Sequence, residues 1–452
     1  MNFSTFDLHP KITAGIMAEG YITPTPIQTQ AIPIVMEGRD VMGLAQTGTG
    51  KTAAFVLPIL NRLMTGKRGH IRALIIAPTR ELAEQINDNI VSLGRQTGLR
   101  STTVYGGVGI NPQITKLRGG AEIVVACPGR LLDHIGRGTA NLSHVETLVL
   151  DEADQMFDMG FLPAIRQIMK KLSANRQNLL FSATMPQEIR RLAGEILNNP
   201  KTVQVDTLAP AVTVSHAIYP VEQHRKTAML LQLLSSTDTG PVLVFTRTKH
   251  RAKRLGQQLE KAGHKATSIQ GNLSQARRQA ALNGFKSGAY QILVATDIAA
   301  RGIDVSKVSH VINYDIPNTT DAYIHRIGRT GRAASTGDAF TLVTGEDRGT
   351  VRAIERVLGA PLERRTIADF DYNVPAPKRD QEFARPPRQP RRPAQGQKTA
   401  RSRNASASNA GAGDSRGPRP SGRKPGAAPG TPQRRRQTRR PSQSGRAVSG
   451  GI

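Results

Sequence analysis

The run Val145-Glu-Thr-Leu-Val-Leu-Asp-Glu-Ala-Asp154 turns from apolar to acidic within one residue. An apolar stretch this short reads as a strand buried on both faces, the state of strands in a parallel sheet covered by helices. Carboxylates at the end of such a strand stand at the C-terminal edge of the sheet, where α/β proteins place their ligands. Carboxylates in that position suit Mg²⁺, a hard cation usually held by one or two of them together with waters and substrate phosphates. The pattern therefore predicts a phosphate cradle elsewhere in the chain.

That cradle is Ala45-Gln46-Thr47-Gly48-Thr49-Gly50-Lys51-Thr52, between an apolar run from Asp40 to Leu44 and a helical pattern from Ala53 to Met64. Gly48 and Gly50 permit a curled backbone whose N–H groups point inward at a polyphosphate, and the helix N-terminus that follows adds positive potential. Lys51 supplies a point charge for the β- and γ-phosphates, and the Thr52 hydroxyl a ligand for Mg²⁺. Ala45 stands where the pattern usually has its first glycine.

Short apolar runs recur at Ala73–Ala77, Ser101–Tyr105, Glu122–Ala126, Thr147–Leu150 and Asn178–Phe181. They recur again at Val242–Thr246, Lys265–Ile269, Gln291–Ala295, His310–Tyr314 and Ala339–Val343. Helical stretches separate them, and that alternation predicts doubly wound parallel sheets. The expected organisation is an α/β chain of two tandem domains, 1–206 and 214–370, joined by a linker at 207–213 and followed by a basic tail at 371–452. No residue-level internal repeat is visible. From Ala376 to Ile452 there are 19 Lys/Arg against three Asp/Glu, so this segment carries +16 of the chain's +28, with Phe383 its one aromatic residue. Such a composition cannot bury enough apolar surface to offset its ordering entropy, and the tail is expected to be disordered.

A net charge of +28 favours polyanions, nucleic acid before anionic membrane. No apolar run approaches the ~20 residues of a membrane span, and the N-terminus lacks the basic and apolar regions of a signal peptide. The one cysteine, Cys127, permits no intrachain disulfide and no cysteine-based zinc site. The expectation is a cytoplasmic protein with neither a membrane nor a disulfide partner.

Further strings complete the pattern: Gly20-Tyr-Ile-Thr-Pro-Thr-Pro-Ile-Gln28, Pro78-Thr-Arg-Glu-Leu-Ala83, Ser182-Ala-Thr184, Ala300-Arg-Gly-Ile-Asp304 and Tyr323-Ile-His-Arg-Ile-Gly-Arg329-Thr-Gly-Arg332. With the phosphate loop and the acidic strand end, these resemble the motifs of the DEAD-box ATP-dependent RNA helicases in family order, from Phe3 to about Arg365. Asp158-Met-Gly-Phe161 and Arg176-Gln-Asn-Leu-Leu-Phe-Ser-Ala-Thr184 look most like the bacterial RhlE branch.

The resemblance implies two RecA-like domains that bind ATP and Mg²⁺. It places Phe3, Tyr21 and Gln28 at the adenine, where a glutamine amide can both donate to N7 and accept from N6 and Phe3 would stack. The same residues would also serve as a helix cap and a hydrophobic staple. Ala45 to Thr52 take the phosphates, and Asp304 touches the ribose. Asp151 meets Mg²⁺ through water beside Thr52, and Glu152 orients or deprotonates the attacking water. Asp154, Ser182, Thr184 and His325 couple nucleotide state to the RNA side. Arg329 and Arg332 act as arginine fingers on the γ-phosphate once the domains close.

RNA contact would fall to Pro78, Thr79, Arg80, Gly106, Gly107, Pro128, Gly129 and Arg130 in the first domain, and to Thr246, Arg247, Gln275, Arg278, Thr296 and Arg301 in the second. These groups would grip phosphates without reading sequence, leaving 2′-hydroxyl contacts to select RNA. Cys127 stands where the family usually has threonine, and a thiol is a weak donor. The expected activity is RNA-stimulated ATP hydrolysis coupled to local, sequence-independent duplex unwinding or RNP remodelling. An ATP-gated RNA clamp or tail-driven RNA chaperone with little unwinding is the alternative. Single-stranded and duplex RNA are the expected partners, with ribosomal precursors and RNA-decay complexes both open as targets.

Overall fold

The computed structural model describes residues 2–46, 48–205, 214–236, 240–300, 308–330 and 337–376. Thr47, Arg301, Asp304, Arg332, the expected linker and nearly all of the expected tail lie outside those residues.

Two sheets carry the chain. The first contains β1 (Val41–Leu44), β2 (Ala73–Ile76), β3 (Ser101–Val104), β4 (Ile123–Ala126), β5 (Thr147–Leu150), β6 (Gln177–Ser182) and β7 (Lys201–Gln204). The second contains β8 (Val214–Pro220), β9 (Val242–Phe245), β10 (Ala266–Ile269), β11 (Ile292–Ala295), β12 (His310–Asn313), β13 (Gly337–Val343) and β14 (Glu363–Arg364). Their orders are β3-β4-β2-β5-β6-β1-β7 and β10-β11-β9-β12-β13-β8-β14. Every pairing recorded is parallel.

The physical reason for the parallel order is in the side chains. β2, β4, β5 and β6 are buried at every position, so both faces must be covered by helices. One face of the first sheet packs under the helix Lys51–Leu63, where Phe55 meets Phe181 with ring centroids 5.4 Å apart. A fully buried aromatic of this kind contributes about 1.5–3 kcal/mol. Asp40, just before β1, ties three strands: its carboxylate accepts from Asn178 N (2.7 Å), Asn178 Nδ2 (3.1 Å) and Asn198 N (2.7 Å). The strands missing from the sequence reading are β7, β8 and β14. β7 is an edge strand exposed except at Val203, and β14 is an exposed pair of residues.

The two orders are the same when numbered within each sheet, so β8 occupies in the second the place of β1 in the first. The helix after β1 opens Lys51-Thr52-Ala53, and the helix Lys226–Ser236 after β8 opens Lys226-Thr227-Ala228. This correspondence is invisible without the topology, because three residues make no detectable repeat. Lys226 is buried and donates to the carbonyls of Tyr314 (3.1 Å) and Leu342 (3.0 Å), clamping the ends of β12 and β13.

Packed chain continues past 370. Arg225 lies 4.9 Å from the Phe370 ring centroid and donates to Asp371 O at 2.8 Å, while His224 Nε2 meets Val374 O at 2.8 Å. The head of the segment whose composition marks it as tail is thus strapped to the second unit.

Candidate active site

The phosphate loop begins where β1 stops. Ala45 N donates to Ser182 O (3.1 Å), so the loop leaves the sheet beside the end of β6. Gly50 has φ 93°, a left-handed backbone that L residues rarely adopt, and a Cβ there would lie 2.5 Å from Gln28 Nε2. Lys51 opens the helix and is 6% exposed; its Nζ donates to Ala45 O at 2.7 Å, and Thr49 Oγ1 donates to Gln46 O at 2.8 Å. The loop is therefore held in a closed curl by its own side chains.

Gln28 joins this curl to the helix Pro26–Met36. Its Oε1 accepts from Thr25 N at 2.9 Å and its Nε2 donates to Gly50 O at 3.1 Å. The amide caps a helix, as the simpler reading of the sequence allows, and also supports the phosphate loop. Each atom keeps a second lone pair or hydrogen for a base edge. Phe3 is buried, with its ring centroid 6.0 Å from that of Tyr21 and 5.9 Å from that of Phe6.

Asp151, Glu152 and Asp154 follow β5 and are all nearly inaccessible. Burial pushes the Asp151 carboxyl up to about 7, with Lys51 pulling it down and Glu152 pushing it further up. Glu152 is the N-cap of the helix Ala153–Asp158 at φ 53°, ψ 53°. A left-handed, buried, non-glycine residue stores strain, and strain of this kind gathers at functional positions. Asp154 is used differently. Its Oδ2 accepts from Ala183 N (3.2 Å), Thr184 N (3.0 Å) and Thr184 Oγ1 (3.1 Å), and Ser182 Oγ receives Asp154 N at 3.3 Å.

The second sheet reaches this cluster through the helix Thr320–Ile327. His325 Nε2 stands 3.8 Å from Asp154 Oδ2, inside ion-pair range but beyond hydrogen-bond length. Asp154, Thr184, His325 and Arg329 line one cleft of about 390 Å³. Arg329 is 5% exposed. The four coupling candidates thus converge, with Arg329 beside them.

The helix is fixed by Arg326, which the sequence reading passed over although it lies in the same string. Its Nε and Nη2 bind Asp297 Oδ1 and Oδ2 (2.6 and 2.8 Å), and its Nη1 binds Asn313 Oδ1 (3.0 Å) and Asp315 O (2.7 Å). Phe245 lies below, its ring centroid 4.9 Å from the guanidinium carbon.

The residues assigned to RNA form a second set along the same edges of both sheets. Pro78 precedes Thr79, whose Oγ1 caps the helix Arg80–Leu93 by accepting from Leu82 N at 3.3 Å. Arg80 Nη1 donates to Gln275 Oε1 (3.1 Å), and Arg278 Nη2 meets Glu81 Oε1 (2.8 Å), so side chains from the two halves are paired. Glu81 also went unassigned in the sequence. Gly107 has φ 81°, a left-handed backbone strained for other residues, and a Cβ there would displace the Arg80 guanidinium, whose Nη1 it would approach to 2.1 Å. Gly106 sits beside it, between Arg80 and Arg130. Arg130 donates to Val108 O at 3.2 Å, from the helix that Pro128 and Gly129 begin.

Cys127 is the N-cap of that helix but makes no side-chain cap bond, unlike Thr79, and burial pushes its thiol up to about 12. In the second sheet Thr246 is fully buried at the end of β9, Arg247 N donates to Asp315 Oδ2 (2.8 Å), and the Thr296 carbonyl accepts from Ala299 N (3.0 Å).

The family described as DEAD/DEAH box helicase matches residues 25–192, and the helicase conserved C-terminal domain matches residues 225–334. The chain is 46% identical over 354 residues to the ATP-dependent RNA helicase CshA of Listeria monocytogenes, covering 78% of this chain and 68% of that one. With the DEAD-box ATP-dependent RNA helicase CshA of Geobacillus kaustophilus it shares 44% over 363 residues, 80% of this chain and 78% of the relative. Among solved structures, S. cerevisiae Dbp5 bound to RNA and ADP BeF3 superposes with a TM-score of 0.74 at 30% identity, covering 80% of this chain and 95% of that chain.

The similarity to CshA proteins leaves the expected RhlE branch without support. Several positions of those strings are held by packing: Leu179, Leu180 and Phe181 are buried in β6, and Phe161 packs against the core, while Asp158 and Gly160 are exposed. Residues held by a common core mark the family and not a branch of it. On two family matches and these identities, the chain belongs to the DEAD-box family of ATP-dependent RNA helicases.

Proposed function

We propose that this chain couples RNA-stimulated ATP hydrolysis to local, sequence-independent opening of RNA duplexes or remodelling of RNA–protein assemblies. The observation that carries the reading is the cleft in which Asp154 and Thr184 of the first sheet meet His325 and Arg329 of the second. A site divided between two sheets makes hydrolysis depend on their closure. ATPase assays with RNA or DNA as stimulant, beside strand displacement with and without ATP, test it. Equal stimulation by DNA, or displacement without ATP, would sink it.

The ATP-binding unit is assigned to 1–206 and the second RecA-like unit to 214–370, with 207–213 between them; residues 371–374 pack on that second unit ahead of the basic segment. Residues Ala45 to Thr52 fit a triphosphate: a glycine curl, a helix N-terminus and a lysine already turned into the loop. Thr52 and Asp151 fit Mg²⁺, since both offer oxygen donors and a buried carboxyl gains from a cation beside it. When bound, the ion neutralises charge on the β- and γ-phosphate oxygens. Glu152 would orient the attacking water, Arg329 and Arg332 would meet developing negative charge, and Asp154 would pass nucleotide state through Thr184 and His325. The paired Arg80, Glu81, Gln275 and Arg278 would hold the halves in register under the RNA backbone.

Gln28→Glu should weaken ATP binding by about 1–3 kcal/mol, because an oxygen would replace the donor facing Gly50 O and adenine N7. RNA affinity without nucleotide should be unchanged. Unaltered ATP affinity and preference over GTP would remove Gln28 from the adenine site.

Deleting 377–452 should spare basal ATP hydrolysis while weakening RNA affinity and flattening its salt dependence. A coil of that length reaches about 50 Å, at roughly 5–6 Å × √n. With about six arginines engaging single-stranded phosphates, the log–log salt slope should fall by about 4, at roughly 0.7 per contact. An unchanged slope would rule out the tail as an RNA tether.

A further inference from the structure

The second sheet keeps a crevice where the first has its phosphate loop. It lies at the C-terminal ends of β8 and β13, against the helix Arg348–Leu358 and β14, with a volume of about 660 Å³. The corresponding chain from Pro220 to Lys226 has no glycine, and Lys226 is turned inward onto two carbonyls, so no phosphate cradle forms. The crevice has acquired a different lining. Val221, Val343 and Val351 supply apolar surface. Arg348, Arg352 and Arg364 stand around it, all exposed, and none is paired with another described residue. The single carboxylate among the lining residues is that of Glu222.

We propose that this crevice is a docking site for an acidic, partly apolar peptide segment of a partner protein. Unpaired guanidiniums match carboxylates in a planar, two-point geometry. The valine floor would take apolar side chains, a contact that a phosphodiester backbone has no group to make. Position also argues against RNA. The RNA candidates follow β9, β10 and β11, whereas β13, β8 and β14 lie beyond β12 in the order β10-β11-β9-β12-β13-β8-β14. Tyr372, the aromatic residue of the crevice, is packed against Phe370 with centroids 4.8 Å apart, and its hydroxyl receives Ile367 N at 2.9 Å. The chain's own tail is excluded by charge, being strongly basic like the rim. Tyr372 of the crevice stands four residues before Ala376, where the basic composition begins.

The test uses the full chain and the triple variant Arg348→Ser, Arg352→Ser, Arg364→Ser. Exposed, unpaired side chains leave folding unaffected when changed. Three fluorescein-labelled probes are compared by anisotropy: a short peptide alternating glutamate with leucine and phenylalanine, one alternating glutamate with serine, and a short oligouridylate. The parent should bind the apolar acidic peptide about tenfold more tightly than the serine peptide, a difference of about 1.4 kcal/mol. The variant should lose that preference and keep its oligouridylate affinity and RNA-stimulated ATPase. Equal binding of both peptides by the parent overturns the proposal, since charge on the tail alone would then hold the acid. A variant that retains the preference overturns it too, and one that loses oligouridylate in place of peptide makes the crevice an RNA surface.

Discussion

Glu152→Gln is expected to bind ATP and RNA, close its two halves and then stall. The amide keeps the size and much of the hydrogen bonding of the carboxylate but cannot take a proton, and general-base assistance contributes about 10²–10⁴-fold. Turnover should fall by that factor while RNA is held tightly and exchanged slowly. Arg332→Ala should fail in another way. Removing a guanidinium from the transferring phosphoryl group costs about 10³-fold or more in turnover, and it also removes an attraction that draws the second sheet onto the nucleotide. With ATP present, that variant should hold RNA weakly. Filter binding of labelled RNA with ATP and a distance probe on each half separate the two outcomes. Identical open, weakly bound states, or full RNA-stimulated ATPase in either variant, would refute an active site shared across the halves.

Arg326→Ala should be the most destabilising of the single changes considered. The guanidinium is 3% exposed and spans Asp297, Asn313 and the Asp315 carbonyl, so its loss strands the buried acceptors of Asn313 and Asp315, while the partly exposed Asp297 can turn to water. Leaving a buried acceptor unpaired costs about 1–3 kcal/mol. Thermal unfolding should move to lower temperature, and ATPase should fall with it because the helix carrying His325 loses its anchor. Arg329→Ala should also lose ATPase, through loss of charge facing the phosphates. If the melting profile of Arg326→Ala matched that of the parent, the arginine would have no anchoring role.

The central strands were legible in the sequence because burial on both faces writes itself as an unbroken apolar run. Leu74-Ile-Ile76 and Ile123-Val-Val125 can be little else. β7 and β14 left no such mark, since exposed edge residues are free to be polar. In the site, the residues given roles in one-dimensional strings converge where they are described: Lys51 in its loop, Asp154 with Ser182, Thr184 and His325. What the strings could not contain was pairing across the fold. Glu81 has meaning only beside Arg278, Arg326 only beside Asp297, and the amide of Gln28 is a cap and a loop support because Gly50 comes within reach of it. Such roles depend on distances between residues far apart in the chain, and a residue alphabet carries no distances.

The placement of His325 against Asp154 has a thermodynamic consequence. On the proposed reading this contact forms when both halves meet and belongs to neither ligand, so ATP and RNA would act on one and the same equilibrium. Reciprocity then follows: by whatever factor nucleotide tightens RNA, RNA must tighten nucleotide. Hydrolysis would break that symmetry, because it changes one ligand while the other is still in place, and release of the strand would be the response of an equilibrium that has lost half of its bias.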